Sequence, residues 1–301
     1  MVSVIIPTLN AERYISDLIS SLNKQTVKPE IIVIDSSSTD NTIGMADSLG
    51  AKTKIVLRGC FDHGGTRNMA VHLLAKGDIL VFITQDAIPM DEYFIEKIIA
   101  PLDEPHIAAS YGRQIPRPDA KPPERFSRLF NYPDTPLIND KESIQKVGIK
   151  AFFFSNVCSA IRRKEFEEMG GFPEGIIMNE DMLFANRLIM RGYKIAYVPD
   201  ARVIHSHNYS CLQQFRRYFD IGVFLRMSID SVRGLKIEDT GMRFLIEESR
   251  YLIKNSSYTW LPYLLVESIS KFTGYKLGYY HNLLPTPVRM LFSMHNNYWR
   301  E

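Results

Sequence analysis

Short runs of β-branched and apolar residues alternate with helix-patterned stretches through the first hundred positions, and this rhythm constrains the fold more than any other feature. Residues 2–6 are a strand-like run that Pro7 ends. Residues 11–22 carry helical spacing, with Tyr14, Ile15, Leu18, Ile19 and Leu22 on one face. Further strands are expected over 30–34, 54–57 and 79–84. Helices are expected over 42–49, closed by Gly50, and over 66–76, closed by Gly77. Continuously apolar strands separated by helices imply an α/β sheet, parallel in this part and covered on both faces. Such sheets bind ligands at their C-terminal strand ends.

Residues 113–136 break the rhythm with six prolines (Pro116, Pro118, Pro122, Pro123, Pro133 and Pro136). A long irregular excursion is expected there, of the kind that serves as a lid or substrate-binding segment. Regular structure resumes over 151–154, a helix over 182–190 stops at Gly192, and strands are expected over 194–198 and 202–205. Beyond residue 207 the pattern is helical, with Phe215, Phe219, Val223 and Met227 four apart, a second stretch through Met242 to Ile253, and a tyrosine-rich third over 260–280. These shifts divide the chain into a catalytic domain over 1–209 and a C-terminal amphipathic helical region over 210–301.

Composition narrows the function classes. Hydrophobic residues at 45% and charged residues at 23% exclude a disordered chain. A net charge of +2 speaks against a dedicated nucleic-acid binder. The charge is uneven: residues 210–301 hold 12 basic and 8 acidic side chains, and the preceding 209 hold 24 and 26. Cys60, Cys158 and Cys211 lack metal-like spacing and are expected to be reduced thiols of a cytoplasmic protein. No signal peptide is expected, and the apolar runs fall short of the ~18 residues of a membrane span. The basic, aromatic C-terminal helices fit a membrane surface, packing on the catalytic domain, or a homodimer contact.

Polar clusters stand where strands end: Pro7-Thr8-Leu9-Asn10, Asp35-Ser36-Ser37-Ser38-Thr39-Asp40 and Thr84-Gln85-Asp86. A fourth, Asn179-Glu180-Asp181, opens a helix. Each alone is explained by turns and helix caps. Together they place carboxylates and hydroxyls along one sheet edge.

VSVIIPTLNAERYI, IIVIDSSSTDNT, GGTRNMA, AKGDILVFITQDA, GGFPEG and MNEDMLFANRLIMRGYKIAYVPDARVIH follow one another in that order. The series resembles family 2 inverting glycosyltransferases with the GT-A fold, through about residue 207. That resemblance implies a mixed, Rossmann-like sheet flanked by helices. The stretch from Phe61 to Asn68, and TQDA in place of the usual DxD, resemble the rhamnosyltransferase branch of bacterial surface polysaccharide synthesis.

The resemblance implies roles residue by residue. Asp181 is the base that takes the acceptor hydroxyl proton, and Glu180 orients it or contacts the acceptor. Pro7, Thr8, Asn10, Glu12, Asp35, Ser36, Ser38, Arg67, Asn68, Gln85 and Asp86 bind the nucleotide-sugar donor. Asn156, Gly171 and Phe172 face the acceptor. Asp86 and His205 hold a divalent cation, Mg²⁺ or Mn²⁺, which suits carboxylate and phosphate oxygens. Gln85 leaves that site one charge poorer than DxD. His207 shares a face with His205 if this segment is a strand.

The implied activity is transfer of L-rhamnose from dTDP-L-rhamnose to a glycan or polyprenyl-linked acceptor at the inner face of the cytoplasmic membrane. A different nucleotide sugar is the nearest alternative, and a non-catalytic assembly subunit is another. A nucleotidyltransferase is disfavoured because no glycine-rich, lysine-containing loop follows the first strand. The absence of G-x-G-x-x-G speaks against a dinucleotide cofactor.

Overall fold

The computed structural model describes residues 1–228 and 239–300; positions 229–238 and 301 of the C-terminal region lie outside the described residues. The chain forms two compact units. The first comprises 1–115, 132–174 and 180–205, and the second comprises 116–131, 175–179 and 206 onward. The second unit therefore takes 116–131, 175–179 and 206–209, which the sequence reading placed in the catalytic domain.

Strands β1 (Val2–Thr8), β2 (Glu30–Asp35), β3 (Lys52–Ile55), β4 (Ile79–Ile83), β5 (Ile88–Pro89), β6 (Ile107–Ile115), β7 (Leu137–Asn139), β8 (Cys158–Arg162) and β9 (Lys194–Ile204) form one sheet in the first unit. The helices in chain order are α1 (Glu12–Asn23), α2 (Thr42–Ser48), α3 (His63–Leu73), α4 (Phe94–Ile99), α5 (Pro122–Asn131), α6 (Lys141–Val147), α7 (Arg163–Glu168) and α8 (Glu180–Arg191). They continue with α9 (Cys211–Met227), α10 (Asp239–Lys254), α11 (Leu261–Tyr279) and α12 (Thr286–Phe292). Strand order is β3-β2-β1-β4-β8-β6-β9-β5, with β7 on β9. β1 to β4 pair in parallel, β8 runs antiparallel between β4 and β6, and β9 is parallel to β6. The C-terminal ends of β1, β2, β4, β6 and β9 thus share one edge with the N-terminal end of β8.

The core follows from the expected pattern. Val4, Ile6, Val33 and Val81 pack with Ile15, Leu18, Ile19 and Leu22 of α1, all fully buried. Several boundaries differ, each for a physical reason. β1 runs through Pro7 to Thr8, because β4 pairs only as far as Ile5 and no ladder bond on that side needs the missing N–H. α3 starts at His63, three residues earlier than expected, because the Asp62 carboxylate caps it by accepting the Gly65 N–H. It ends at Leu73, so Gly77 is not its cap; Gly77 packs on Ser3, whose Oγ accepts its N–H at 2.7 Å. Residues 148–152 form a 3₁₀ turn, and β8 follows at Cys158. The two strands expected over 194–205 are one, β9, whose register with β6 shifts between Ile107 and Ala109 and again between Gly112 and Arg113.

The proline-rich excursion holds a ten-residue helix, α5. Pro122 and Pro123 occupy its first turn, where proline removes no intrahelical bond. In the second unit Phe126 and Phe130 of α5 meet Phe244 of α10 at 5.1 Å. α9 and α11 approach closely at glycines: a Cβ on Gly274 or Gly278 would strike the carbonyl oxygen of Phe215 or Phe219.

Candidate active site

The shared sheet edge gathers most of the expected site residues. At the end of β2 the buried Asp35 carboxylate accepts Thr8 Oγ1 at 2.7 Å, Ser38 N–H at 2.7 Å and Ser38 Oγ at 2.6 Å. Ser36 Oγ is buried beside it without a protein partner. Asn10 has φ +50 and joins the β1 and β2 loops: its N–H donates to Ser38 Oγ at 2.7 Å and its Oδ1 accepts Thr39 N–H at 2.9 Å. Glu12 does the same from α1, its N–H donating to Asp40 and its carboxylate accepting Asn41 N–H. Pro7 lies in β1 just before Thr8.

Gln85 turns inward on the backbone. Its Oε1 accepts Leu9 N–H at 2.8 Å and its Nε2 donates to Leu9 O at 3.2 Å. The amide expected to meet the donor thus clamps the β1 loop to the β4 loop, a two-way bond that a carboxylate cannot make.

At the start of α8, Glu180 and Asp181 are adjacent but differently placed. Glu180 Oε1 meets Arg67 Nη1 at 3.1 Å and accepts Asn156 Nδ2 at 3.2 Å. The Arg67 side chain is buried rather than solvated at its helix start. Asp181 accepts Asn156 N–H at 3.0 Å through Oδ2 and Met182 N–H at 2.8 Å through Oδ1. Asn156 therefore holds both acids, which makes it a positioning residue. Burial opposes ionisation of Glu180, but Arg67, with His63 and the Asn156 amide, holds it below the ordinary carboxylate range. Burial, and then the charge of Glu180, pushes Asp181 up to about 7. Neighbouring acids with opposite shifts suit distinct roles, one permanently charged and one exchanging a proton near neutrality.

Asn68 and the Gly170-Gly171 turn form a bracket beside this pair. Asn68 Nδ2 donates to Phe172 O and to Glu174, and Phe172 N–H donates to Asn68 Oδ1 at 2.9 Å. Both glycines have positive φ and end α7, so the turn is a helix C-cap; a Cβ on Gly171 would lie 2.7 Å from Asn68 Oδ1. Phe172, expected to face the acceptor, is a core residue. Its ring is buried against Phe82, Phe166 and Phe184 at 5.0–5.2 Å, so it supports the turn from the core and presents no face to an acceptor.

At the ends of β4 and β9, Asp86 Oδ2 and His205 Nε2 stand 3.4 Å apart. His205 Nδ1 bonds Gln114 Oε1 at 2.9 Å, and the Gln114 amide donates in turn to Tyr132 and Ser155. With Nδ1–H donated to Gln114, Nε2 directs its lone pair at the carboxylate, the donor set of a divalent-cation site. Sequence reasoning missed Gln114; a buried amide near the end of β6 was its only signal. His207 lies in the second unit, stacked on Tyr209 at 5.1 Å.

The model of glycosyl transferase family 2 matches residues 3–170, which contain Asp35, Asp86 and Asn156. The chain belongs to glycosyl transferase family 2. It is 41% identical over 301 residues to the O-antigen chain rhamnosyltransferase RfbN of Salmonella typhimurium, covering 99% of this chain and 96% of the relative. It is 41% identical over 306 residues to the O-antigen chain rhamnosyltransferase WbaN of Salmonella anatum, covering 99% and 95%. The mannosyltransferase PcManGT of Pyrobaculum calidifontis, solved with GDP-Man and Mn²⁺, shares the fold with a TM-score of 0.57 at 20% identity, over 99% of this chain and 84% of that one. As a family 2 glycosyltransferase the chain keeps its carboxylates on the sheet edge where a donor is expected.

Proposed function

We propose that this glycosyltransferase moves L-rhamnose from dTDP-L-rhamnose, with inversion, to a growing bacterial surface polysaccharide. The observation that carries this reading is the 41% identity over nearly the whole chain to two O-antigen chain rhamnosyltransferases. Asp35 with Thr8 and Ser38, and the Asn10–Glu12 loop, form the donor cradle. Asp86 and His205 would hold a divalent cation, which when bound offsets charge on a departing diphosphate. Asp181 takes the proton of the acceptor hydroxyl as that oxygen attacks the anomeric carbon. Glu180, kept ionised by Arg67, raises the proton affinity of Asp181 and does not itself exchange the proton.

The acceptor in this reading is lipid-linked and met at the inner face of the cytoplasmic membrane. No helix among the described residues is long and apolar enough to cross a membrane. Leu265, Ile269 and Phe272 form an exposed stripe on α11 that supports surface contact.

The test is release of nucleotide diphosphate from a panel of nucleotide sugars with a glycan acceptor. Release from dTDP-L-rhamnose is expected; release from a different donor alone overturns the assignment.

A further inference from the structure

We propose that Ser155 is a positioning residue for the base: a hydrogen bond from Gln114 to its hydroxyl fixes the peptide whose N–H holds Asp181. This deepens the glycosyltransferase reading and rests on it. The peptide joining Ser155 to Asn156 lies in the turn that leads into β8. Its C=O accepts the Cys158 N–H at 3.3 Å, and its N–H donates to Asp181 Oδ2 at 3.0 Å. Those two bonds leave the peptide plane free to tilt about the line between them. The Ser155 side chain supplies a third point, because its Oγ accepts Gln114 Nε2 at 3.1 Å in a buried contact. Ser159, fully buried in β8, fixes the other half of the grip: its Oγ donates to Asn156 Oδ1 at 3.0 Å, which turns Asn156 Nδ2 toward Glu180.

Gln114 is the shared support. Its Oε1 meets His205 Nδ1 at 2.9 Å, and the two hydrogens of its Nε2 go to Tyr132 Oη and Ser155 Oγ. The Gln114 side chain is buried on β6, so a lost bond is not replaced by one to water. One amide thus holds the histidine on the cation side and the turn on the base side. Burial, and then the Glu180 charge, oppose ionisation of Asp181; the Asn156 and Met182 N–H groups and Arg67 of α3 favour it. His63 of α3 acts on the pair through Glu180. Removing the Ser155 hydroxyl leaves all these charges in place and loosens only the Asn156 N–H. Its weakening favours the protonated carboxyl, so Asp181 then titrates at higher pH.

The experiment is a carbon-13 NMR titration of the aspartate carboxyls in the full chain, with the Asp181 signal identified by its loss in Asp181→Asn. Ser155→Ala is expected to raise the Asp181 midpoint by about one pH unit, and the rising limb of kcat/KM moves with it. Gln114→Leu removes the same bond from its other end, so it shifts the midpoint equally and the double variant shifts it no further. Calorimetric titration of Mn²⁺ separates the two arms: Gln114→Leu weakens binding, and Ser155→Ala leaves it at the wild-type value. Ser155→Thr, which keeps the hydroxyl, is expected to titrate as wild type. Melting curves identify any variant that fails to fold; Ser155→Ala, which removes a single oxygen, then decides. A midpoint in Ser155→Ala that is unchanged or lower overturns the assignment, as do additive shifts in the double variant. The shifted carboxyl without turnover of any nucleotide sugar keeps the hydrogen-bonded support and removes the transferase reading; turnover with an unshifted carboxyl does the reverse.

Discussion

Arg67 and Glu180, 113 positions apart in the chain, form an ion pair at 3.1 Å with side chains 6% and 7% exposed. Removing one partner of such a pair leaves a buried, unmatched charge. Arg67→Met is therefore expected to destabilise the fold by about 3–5 kcal/mol, read from urea unfolding. The double variant Arg67→Met/Glu180→Gln is expected to recover part of that loss. Equal stability of both variants and wild type would place the pair's value outside folding.

Asp181 sits near neutrality because it is half-buried, with its carboxylate desolvated beside an ionised Glu180. A base acts when deprotonated, so kcat/KM is expected to rise with pH through about 7. Glu180→Gln removes the neighbouring charge and shifts this limb to lower pH. Asp181→Asn abolishes turnover, typically by 10²-fold or more for a general base. A pH–rate profile of wild type and Glu180→Gln checks the sign; a limb that stays in place refutes the coupling.

Raising the Asp181 carboxyl above its ordinary value also carries a stability signature. The folded protein holds a proton that the unfolded chain releases, so this contribution is fully present below pH ~4 and is lost as pH rises through about 7. Asp181→Asn is accordingly expected to be more stable than wild type at pH 8, by a margin that shrinks at pH 5. Denaturant midpoints at the two pH values decide it.

His205 owes its ring orientation to Gln114. If His205 holds the cation as proposed, Gln114→Leu is expected to weaken Mn²⁺ binding by about 10–100-fold, the usual effect of removing the outer partner of a metal-ligating histidine. Calorimetric titration of Mn²⁺ into the two proteins measures it, and chelation with EDTA should suppress turnover of the wild type. Equal Mn²⁺ affinities would show that Gln114 plays no part.

Gly278 lets α11 lie against α9, because a Cβ there meets the Phe219 carbonyl oxygen. Gly278→Ala is expected to cost about 1–3 kcal/mol through overpacking. Gly50→Ala, at φ +83 with open space around its Cβ position, is a control in which backbone strain acts alone.

The α/β alternation, the strand-end clusters and the Glu180-Asp181 pair are local patterns, so the sequence alone determined the fold class and the sheet edge that carries the site. Binary patterning and turn chemistry act over a few residues and can be read without a partner. The tertiary structure decided which polar residues reach outward and which are held inside. Gln85 binds Leu9 from 76 positions away, Arg67 finds Glu180, and Gln114 finds His205 across 91 positions. Phe172 reads as part of a glycine turn near the acceptor, yet its ring belongs to the core. The opposed shifts of Glu180 and Asp181 have the same origin: burial and a charge brought from another element set them, and neither is written in the two residues themselves.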